Sequence, residues 1–392
     1  MIGFLFGVSL PCDRQLSPLM NILLLNSARK FIGEAAHCLS LAREFSIRGH
    51  RVWLGVRSGF ELEQHARQEG HCTVVPFTFS GSFSPASDVC DASALRRLIR
   101  TEAIDVVHCH RGKDHWVAAA ALLFLPLAPP LVRTRHVVVP MATHWFNRWL
   151  LTRRTRRVIA VSKQAAAGLG PMRDMLGDRL RVIYSAADTQ RFHPDRRSAA
   201  WRAQMGVAED GLLVGLVARL QNIKGQRQFL EAAAILAPRF PAAKFLVAGR
   251  GSDERLARLR EMATTAGIAD RVIFSGWLDD VATAIASLDV SVVASLGSEG
   301  SSRISYESMA SGTALVATTV GCIPEITRDG ETALLVPPAD SAALAQAIGR
   351  LLDDAPLRAS LAARALDYVG THHTIDRWLN DTLAVYKEAL DQ

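Results

Sequence analysis

The stretch Leu296-Gly-Ser-Glu-Gly-Ser-Ser-Arg-Ile-Ser-Tyr-Glu-Ser-Met-Ala-Ser-Gly312 carries two carboxylates, Glu299 and Glu307, with seven residues between them. An apolar run, Val290-Ser-Val-Val-Ala294, precedes it and reads as a buried strand. A polar Gly/Ser turn follows. Glu307 then falls in a helix that Gly312 is suited to close, because glycine accepts the left-handed conformation after a helix. The unit is therefore strand, polar loop, helix N-terminus. Such a unit aims backbone N–H groups and a positive helix end at an anion.

Outward from this unit, short apolar strands alternate with helical stretches, the pattern of parallel sheets covered by helices. In the first half strands are predicted near Ile22–Asn26, Val52–Gly55, Thr73–Phe77, Val106–Cys109, Leu131–Thr134, Val158–Val161 and Arg181–Tyr184. The first long helix is expected from about Gly33 to Arg48, closed by Gly49. The segment Asp188–Pro194 and the charged residues after it read as a linker. A second series of strands then follows near Leu213–Ala218, Lys244–Ala248, Arg271–Ser275, Val290–Ala294, Ala314–Thr318 and Ala333–Val336. Helices Ser341–Leu352, Pro356–Tyr368 and Thr374–Leu390 finish the chain.

At 392 residues the chain exceeds one ordinary core. The expected division is an N-terminal Rossmann-like domain over 20–190, a second such domain over 191–372, and a final helix over 373–392. Residues 1–19 read as a loose tail, or as preceding a true start at Met20. They lack a basic residue ahead of a short apolar run that Pro11 and Asp13 interrupt. No stretch is apolar and long enough to span a membrane. The six cysteines form no CxxC pair, which argues against a zinc site or disulfide framework and for a reducing cytoplasm.

The net charge of +7 is uneven. Residues 1–190 hold about 24 Lys/Arg against about 14 Asp/Glu, so the first half is the basic one. An anionic partner is expected there, either an acceptor or a lipid surface. Sparse aromatics and the lack of any recognisable module rank nucleic acid last among such partners, and none is expected. The run Trp145-Phe-Asn-Arg-Trp149-Leu-Leu-Thr-Arg-Arg-Thr-Arg-Arg157 mixes aromatics and arginines at helical spacing. It suits an anionic membrane surface, or else a domain helix that buries Trp145, Trp149 and Leu150.

An ordered series of motifs resembles the retaining glycosyltransferases of family 4. It comprises Val217-Ala-Arg219-Leu-Gln-Asn-Ile-Lys224-Gly225, Phe245-Leu-Val-Ala-Gly249-Arg-Gly251, Val272-Ile-Phe-Ser-Gly276, the Glu299/Glu307 pair with Met309-Ala-Ser-Gly312, and Gly321-Cys-Ile-Pro-Glu325 with Asp329-Gly330. In the first half Asp105-Val-Val-His108-Cys-His110, Arg135-His136, Val161-Ser162 and Asp188 are similar to family landmarks.

The resemblance implies a GT-B fold. In it two Rossmann-like domains face each other across a cleft, and the last helix crosses back to the first domain. It implies a nucleoside-diphosphate sugar donor, no cofactor, and a glycan or glycolipid acceptor, with an envelope glycan such as lipopolysaccharide core favoured by the basic first half. Arg219 and Lys224 would stabilise the departing diphosphate without a metal, in keeping with the lack of an Asp-x-Asp motif. Glu299 would bond the donor sugar, Glu307 the ribose, and the amides of Ser301, Ser302, Arg303 and Ile304 the sugar and phosphates. The base would lie near Gly251, Gly276 and Trp277. His136 would orient the reacting carbon. Gly33, Glu34, His108 and His110 would line the cleft on the acceptor side. Arg303 stands where the family more often has an apolar residue; it would add a cation at the diphosphate, reach a charged sugar, or point outward. Two rivals stay open: a nucleotide-sugar epimerase or hydrolase on the same fold, and a non-catalytic binding protein.

Overall fold

The computed structural model describes residues 19–391. All but the last residue of the expected N-terminal tail therefore lies outside the described residues. Two parallel sheets form the molecule. The first contains β1 (Asn21–Asn26), β2 (Arg51–Arg57), β3 (Thr73–Phe77), β4 (Val106–Cys109), β5 (Leu131–Arg135), β6 (Arg157–Ala160) and β7 (Leu180–Val182). The second contains β8 (Leu213–Val217), β9 (Lys244–Ala248), β10 (Val272–Gly276), β11 (Val290–Val293), β12 (Ala314–Thr318) and β13 (Leu334–Val336). Each expected strand is present within two residues at either end.

The strands are apolar on both faces because helices cover both faces. In β1, Ile22, Leu23, Leu24 and Leu25 are fully buried, each worth about 1.5–3 kcal/mol of apolar burial. Ile22 and Leu24 enter a core with Leu41 and Phe45 of the helix Gly33–Ile47. Leu23 and Leu25 enter the core on the other face with Leu95 and Val117. The second sheet divides its residues in the same way.

Strand order is β3-β2-β1-β4-β5-β6-β7 in the first sheet and β10-β9-β8-β11-β12-β13 in the second. Both orders reverse at one place, between β1 and β4 and between β8 and β11. Loops leaving neighbouring strands there diverge, and the gap they leave at the strands' carboxyl ends is where open α/β sheets bind ligands. The loops bearing Arg219, Lys224 and Glu299 leave β8 and β11.

The chain crosses from the first sheet near Ala187 and returns near His373. The two crossings are joined by a hydrogen bond from Ala187 N to His373 O of 3.0 Å. The helix Ile375–Leu390 then lies on the first sheet, with Trp378, Leu379, Leu383 and Tyr386 packed among Ile22, Leu24, Val106 and Val132. This is the expected crossing-back of the last helix.

A second tie between the halves is Glu325. Its carboxylate accepts from the backbone N–H groups of Lys163 (2.7 Å) and Gln164 (2.9 Å), at the start of the short helix Lys163–Ala167, and from Tyr184 Oη (2.9 Å). Glu325→Ala leaves these three donors without their acceptor. It is expected to cost about 1–3 kcal/mol and to widen the interdomain arrangement, read as a larger radius of gyration by small-angle scattering.

The run Trp145–Arg157 divides its residues. Trp145 is exposed, whereas Phe146 and Trp149 pack half-buried on a core that includes Leu150. The run begins as the α-helix Trp145–Trp149 and continues as one π-helical turn, Leu150–Arg154. Arg148, Arg153 and Arg156 are exposed, but Arg157 is buried, donating to the Asp178 and Glu388 carbonyls. Trp145 is thus not a core residue, and Arg157 is not a surface one.

Candidate active site

The turn after β8 is held against the loop after β11. Gly225 has φ +71°, and a Cβ there would stand 1.8 Å from the Ala294 carbonyl oxygen. Only glycine fits both conditions. The Leu296 N–H donates to the Ile223 carbonyl at 2.8 Å. This close approach brings Lys224 to Glu299, and their side chains form an ion pair. Ser295 Oγ donates to the same carboxylate oxygen. Glu299 is buried, as is Glu307. The Arg219 carbonyl accepts from Gln226 Nε2 at 2.8 Å, and among the described residues its guanidinium has no ion-pair or hydrogen-bond partner.

Around the first glutamate the backbone is unusual. Ser298 (φ 50°) and Ser302 (φ 37°) are both left-handed without being glycine, a conformation that stores strain and is common at ligand sites. Ser302 immediately precedes the helix Arg303–Ala310, and its hydroxyl bonds that of Ser305 at 2.8 Å. Ser301 and Ile304 are half-buried beside it. Arg303 folds back along the helix and donates to Glu307 at 3.0 Å. Here it is the partner of Glu307.

At the far end of the second sheet Gly249 has φ +138°, and a Cβ there would stand 2.0 Å from the Ala218 carbonyl oxygen. Gly251 sits against the Leu220 side chain. Gly276 (φ +70°) ends β10 and turns Trp277 outward. The Arg250 guanidinium lies 4.1 Å from the Trp277 ring centroid. Arg250 is thus part of this surface, which the glycine spacing alone did not reveal.

Facing these loops are the carboxyl ends of the first sheet's central strands. Gly300 meets His136 directly: a Cβ at Gly300 would stand 1.9 Å from the His136 carbonyl oxygen. His110 Nδ1 lies 2.9 Å from His136 Nε2. His108 is different. It is buried, with Nδ1 2.6 Å from Tyr386 Oη and Nε2 2.7 Å from Thr134 Oγ1. Both ring nitrogens are spent, so His108 lies beneath the cleft floor rather than lining it, and ties the last helix to β5. Burial lowers the pKa of His108 to about 3, and holds His110 and His136 well below the usual histidine value, with further depression from neighbouring histidines. All three are neutral at physiological pH.

Gly33 opens the helix Gly33–Ile47 with open space beside it, and Glu34 pairs with Arg111. Under this corner Asp114 accepts from the N–H groups of Ser27 and Arg111, each at 2.9 Å. Burial pushes its pKa up to about 7, against the pull of Arg133 and of those two amides. The loop after β1 and the loop after β4 are therefore fastened to one carboxyl group.

Sequence reading missed His37. It sits one turn into the helix Gly33–Ile47, and its ring centroid is 4.8 Å from that of His136. It also lines a cavity with Ser185, Asp188, Arg303, Glu307 and Trp378, where the two halves and the last helix meet. A histidine within an ordinary helical repeat carries no positional signal, and only the fold brings it to the strand ends.

Known proteins agree with this architecture. Residues 33–191 match the model of the family described as Glycosyltransferase Family 4, and residues 211–354 that of Glycosyl transferases group 1. A D-inositol 3-phosphate glycosyltransferase of Acidothermus cellulolyticus is 32% identical over 323 residues, covering 75% of this chain and 70% of that protein. The lipopolysaccharide core biosynthesis mannosyltransferase LpsB of Rhizobium meliloti is 31% identical, covering 61% of this chain and 68% of that protein. Among solved structures, a glycosyltransferase from Rickettsia africae superposes with a TM-score of 0.87 at 20% identity, covering 96% and 100% of the two chains. HepE of Anabaena, in complex with UDP and glucose, superposes with a TM-score of 0.80 at 22% identity, covering 94% and 99%. The chain belongs to glycosyltransferase family 4, and it is a glycosyltransferase of the GT-B fold.

Proposed function

We propose that the protein transfers a sugar from a nucleoside-diphosphate donor to an acceptor hydroxyl, with retention of anomeric configuration and without a metal. The observation that carries this reading is the Lys224–Glu299 pair, set beside the strained loop and facing His136 across Gly300. In the reading, the donor sugar's hydroxyls take the Glu299 carboxylate and free Lys224 for the phosphates. Arg219 and Lys224 then meet the charge that grows as the C1–O bond to the diphosphate breaks. The amides from Ser301 to Ile304 and the positive end of the helix Arg303–Ala310 add to this. Glu307, oriented by Arg303, accepts from the ribose hydroxyls. Trp277 and Arg250 flank the base near Gly251 and Gly276.

The acceptor oxygen bonds to C1 on the face the diphosphate leaves, and its proton passes to the departing phosphate oxygen. His136 steadies the reacting carbon, and Gly33, Glu34 and His110 form the acceptor wall. Support for the donor class comes from HepE, which shares the fold and was solved with UDP-glucose. Support for the acceptor comes from LpsB and from LpcC of Rhizobium leguminosarum, both named for lipopolysaccharide core biosynthesis. We therefore place the acceptor among envelope glycans, reached from the cytoplasm at the membrane's inner face. Trp145 and the exposed Arg148, Arg153 and Arg156 suit an anionic lipid surface. Among the described residues no helix is long and apolar enough to cross a membrane.

The test is a thermal-shift series with UDP-, GDP-, ADP- and CMP-sugars. One nucleotide class is expected to raise the melting temperature saturably, since a ligand at about 100 times its Kd adds about 2.7 kcal/mol. Glu307→Ala is expected to weaken that shift. No shift with any sugar nucleotide contradicts the reading.

A further inference from the structure

We propose that His37, His110 and His136 form a site for a borderline-soft divalent cation such as Zn²⁺ or Co²⁺, and that filling it arrests sugar transfer. The three side chains come from the helix Gly33–Ile47 and from just beyond β4 and β5, and their candidate ligand nitrogens lie within 4.8 Å of one another. Two ligands of one zinc ion, each at about 2.1 Å, stand roughly 3.0–3.4 Å apart when their bonds open about 90–110°. The 2.9 Å between His110 and His136 is close to that spacing. The third arm, His37, has to move inward by about 1.4–1.8 Å to close the 4.8 Å separation to that spacing.

Support around the ligands is also present. His37 Nδ1 lies 3.3 Å from Ser185 Oγ, which leaves Nε2 for a metal and fixes the ring, the usual arrangement for a ligating histidine. His110 is buried, and its other ring nitrogen has no partner among the described residues. That Nε2 can carry the ring proton and leave Nδ1, the atom facing His136, as the ligand. Three guanidinium groups approach the cluster, and each is already paired: Arg303 with Glu307, Arg111 with Glu34, and Arg133 with Asp114. A ligand set of imidazoles without carboxylate selects zinc, cobalt, nickel or copper over magnesium or calcium.

The consequence for transfer rests on the role proposed above for His136. A bound ion takes that ring's lone pair and cross-links the helix to two strand ends on the cleft wall. The cation is thus an inhibitor here, consistent with transfer that needs no metal.

The experiment uses the untagged protein titrated with Co²⁺ and followed by visible absorption. One equivalent is expected to give a saturable spectrum with the intense bands of a tetrahedral, nitrogen-bound ion, which Zn²⁺ then bleaches. His37→Ala is expected to weaken binding at least about tenfold, to keep transfer, and to lose the inhibition that Zn²⁺ imposes on the wild type. Only the weak spectrum of hydrated Co²⁺, or equal binding by His37→Ala, overturns the site. If His37→Ala fails to fold, the wild-type spectrum decides alone. Binding without inhibition overturns the arrest. The spectrum does not depend on a donor, so failure of the glycosyl-transfer reading leaves this test intact.

Discussion

Replacing Lys224 with alanine is expected to lower kcat/KM for sugar transfer by about 10²- to 10³-fold, the loss that follows removal of one fixed donor at a developing negative charge. Two effects combine. The proposed contact with the leaving diphosphate disappears, and Glu299, buried and paired with Lys224, is left with Ser295 as its remaining side-chain partner. A buried carboxylate without its cation is costly, so some stability is lost as well. Lys224→Arg separates the two effects. The guanidinium restores the charge, but its longer planar head does not fit the turn that Gly225 presses against Ala294. It is expected to recover stability more fully than turnover. Steady-state kinetics with the donor found by thermal shift, alongside urea melts, reads both. Equal turnover of wild type and Lys224→Ala contradicts the role.

Gly300→Ala is expected to cost about 10²-fold in kcat/KM while leaving each half folded, because a misplacement of about 1 Å at a reacting centre has that effect. The added methyl would stand 1.9 Å from the His136 carbonyl oxygen, a backbone atom that cannot swing aside. The clash lies between the two sheets and not within either core. The relief is therefore a shift of one half against the other, which moves Glu299 away from His136. Circular dichroism is expected to be unchanged, while small-angle scattering shows a wider molecule.

Much of this was legible in the sequence, and the reasons differ by residue. The strands were readable because parallel sheets buried on both faces need unbroken apolar runs, as in Ile22–Leu25. The strand–loop–helix unit around Glu299 was readable because glycine and serine there interrupt an otherwise regular alternation. Arg303 and Glu307 are four apart on a helix, a spacing that predicts a pair. That pair forms in the structure, at 3.0 Å.

His108 and His110 look equivalent in sequence, two residues apart on one strand end. Strand alternation puts both on one face, with ring centroids 4.4 Å apart, and the last helix separates them: Tyr386, far along the chain, claims His108, while His110 turns to His136. His37, Arg250 and the cross-cleft reach of Glu325 depend on how the elements meet. No local pattern encodes such contacts.

The central claim is a retaining transfer from a nucleotide sugar, and the most direct measurement is the anomeric configuration of the product. With the donor and an envelope-glycan acceptor in hand, the proton–proton and carbon–proton couplings at the new linkage report it by NMR before any equilibration. An α-linked donor is predicted to give an α-linked product. An inverted linkage, or free sugar released at the same rate with and without acceptor, contradicts it.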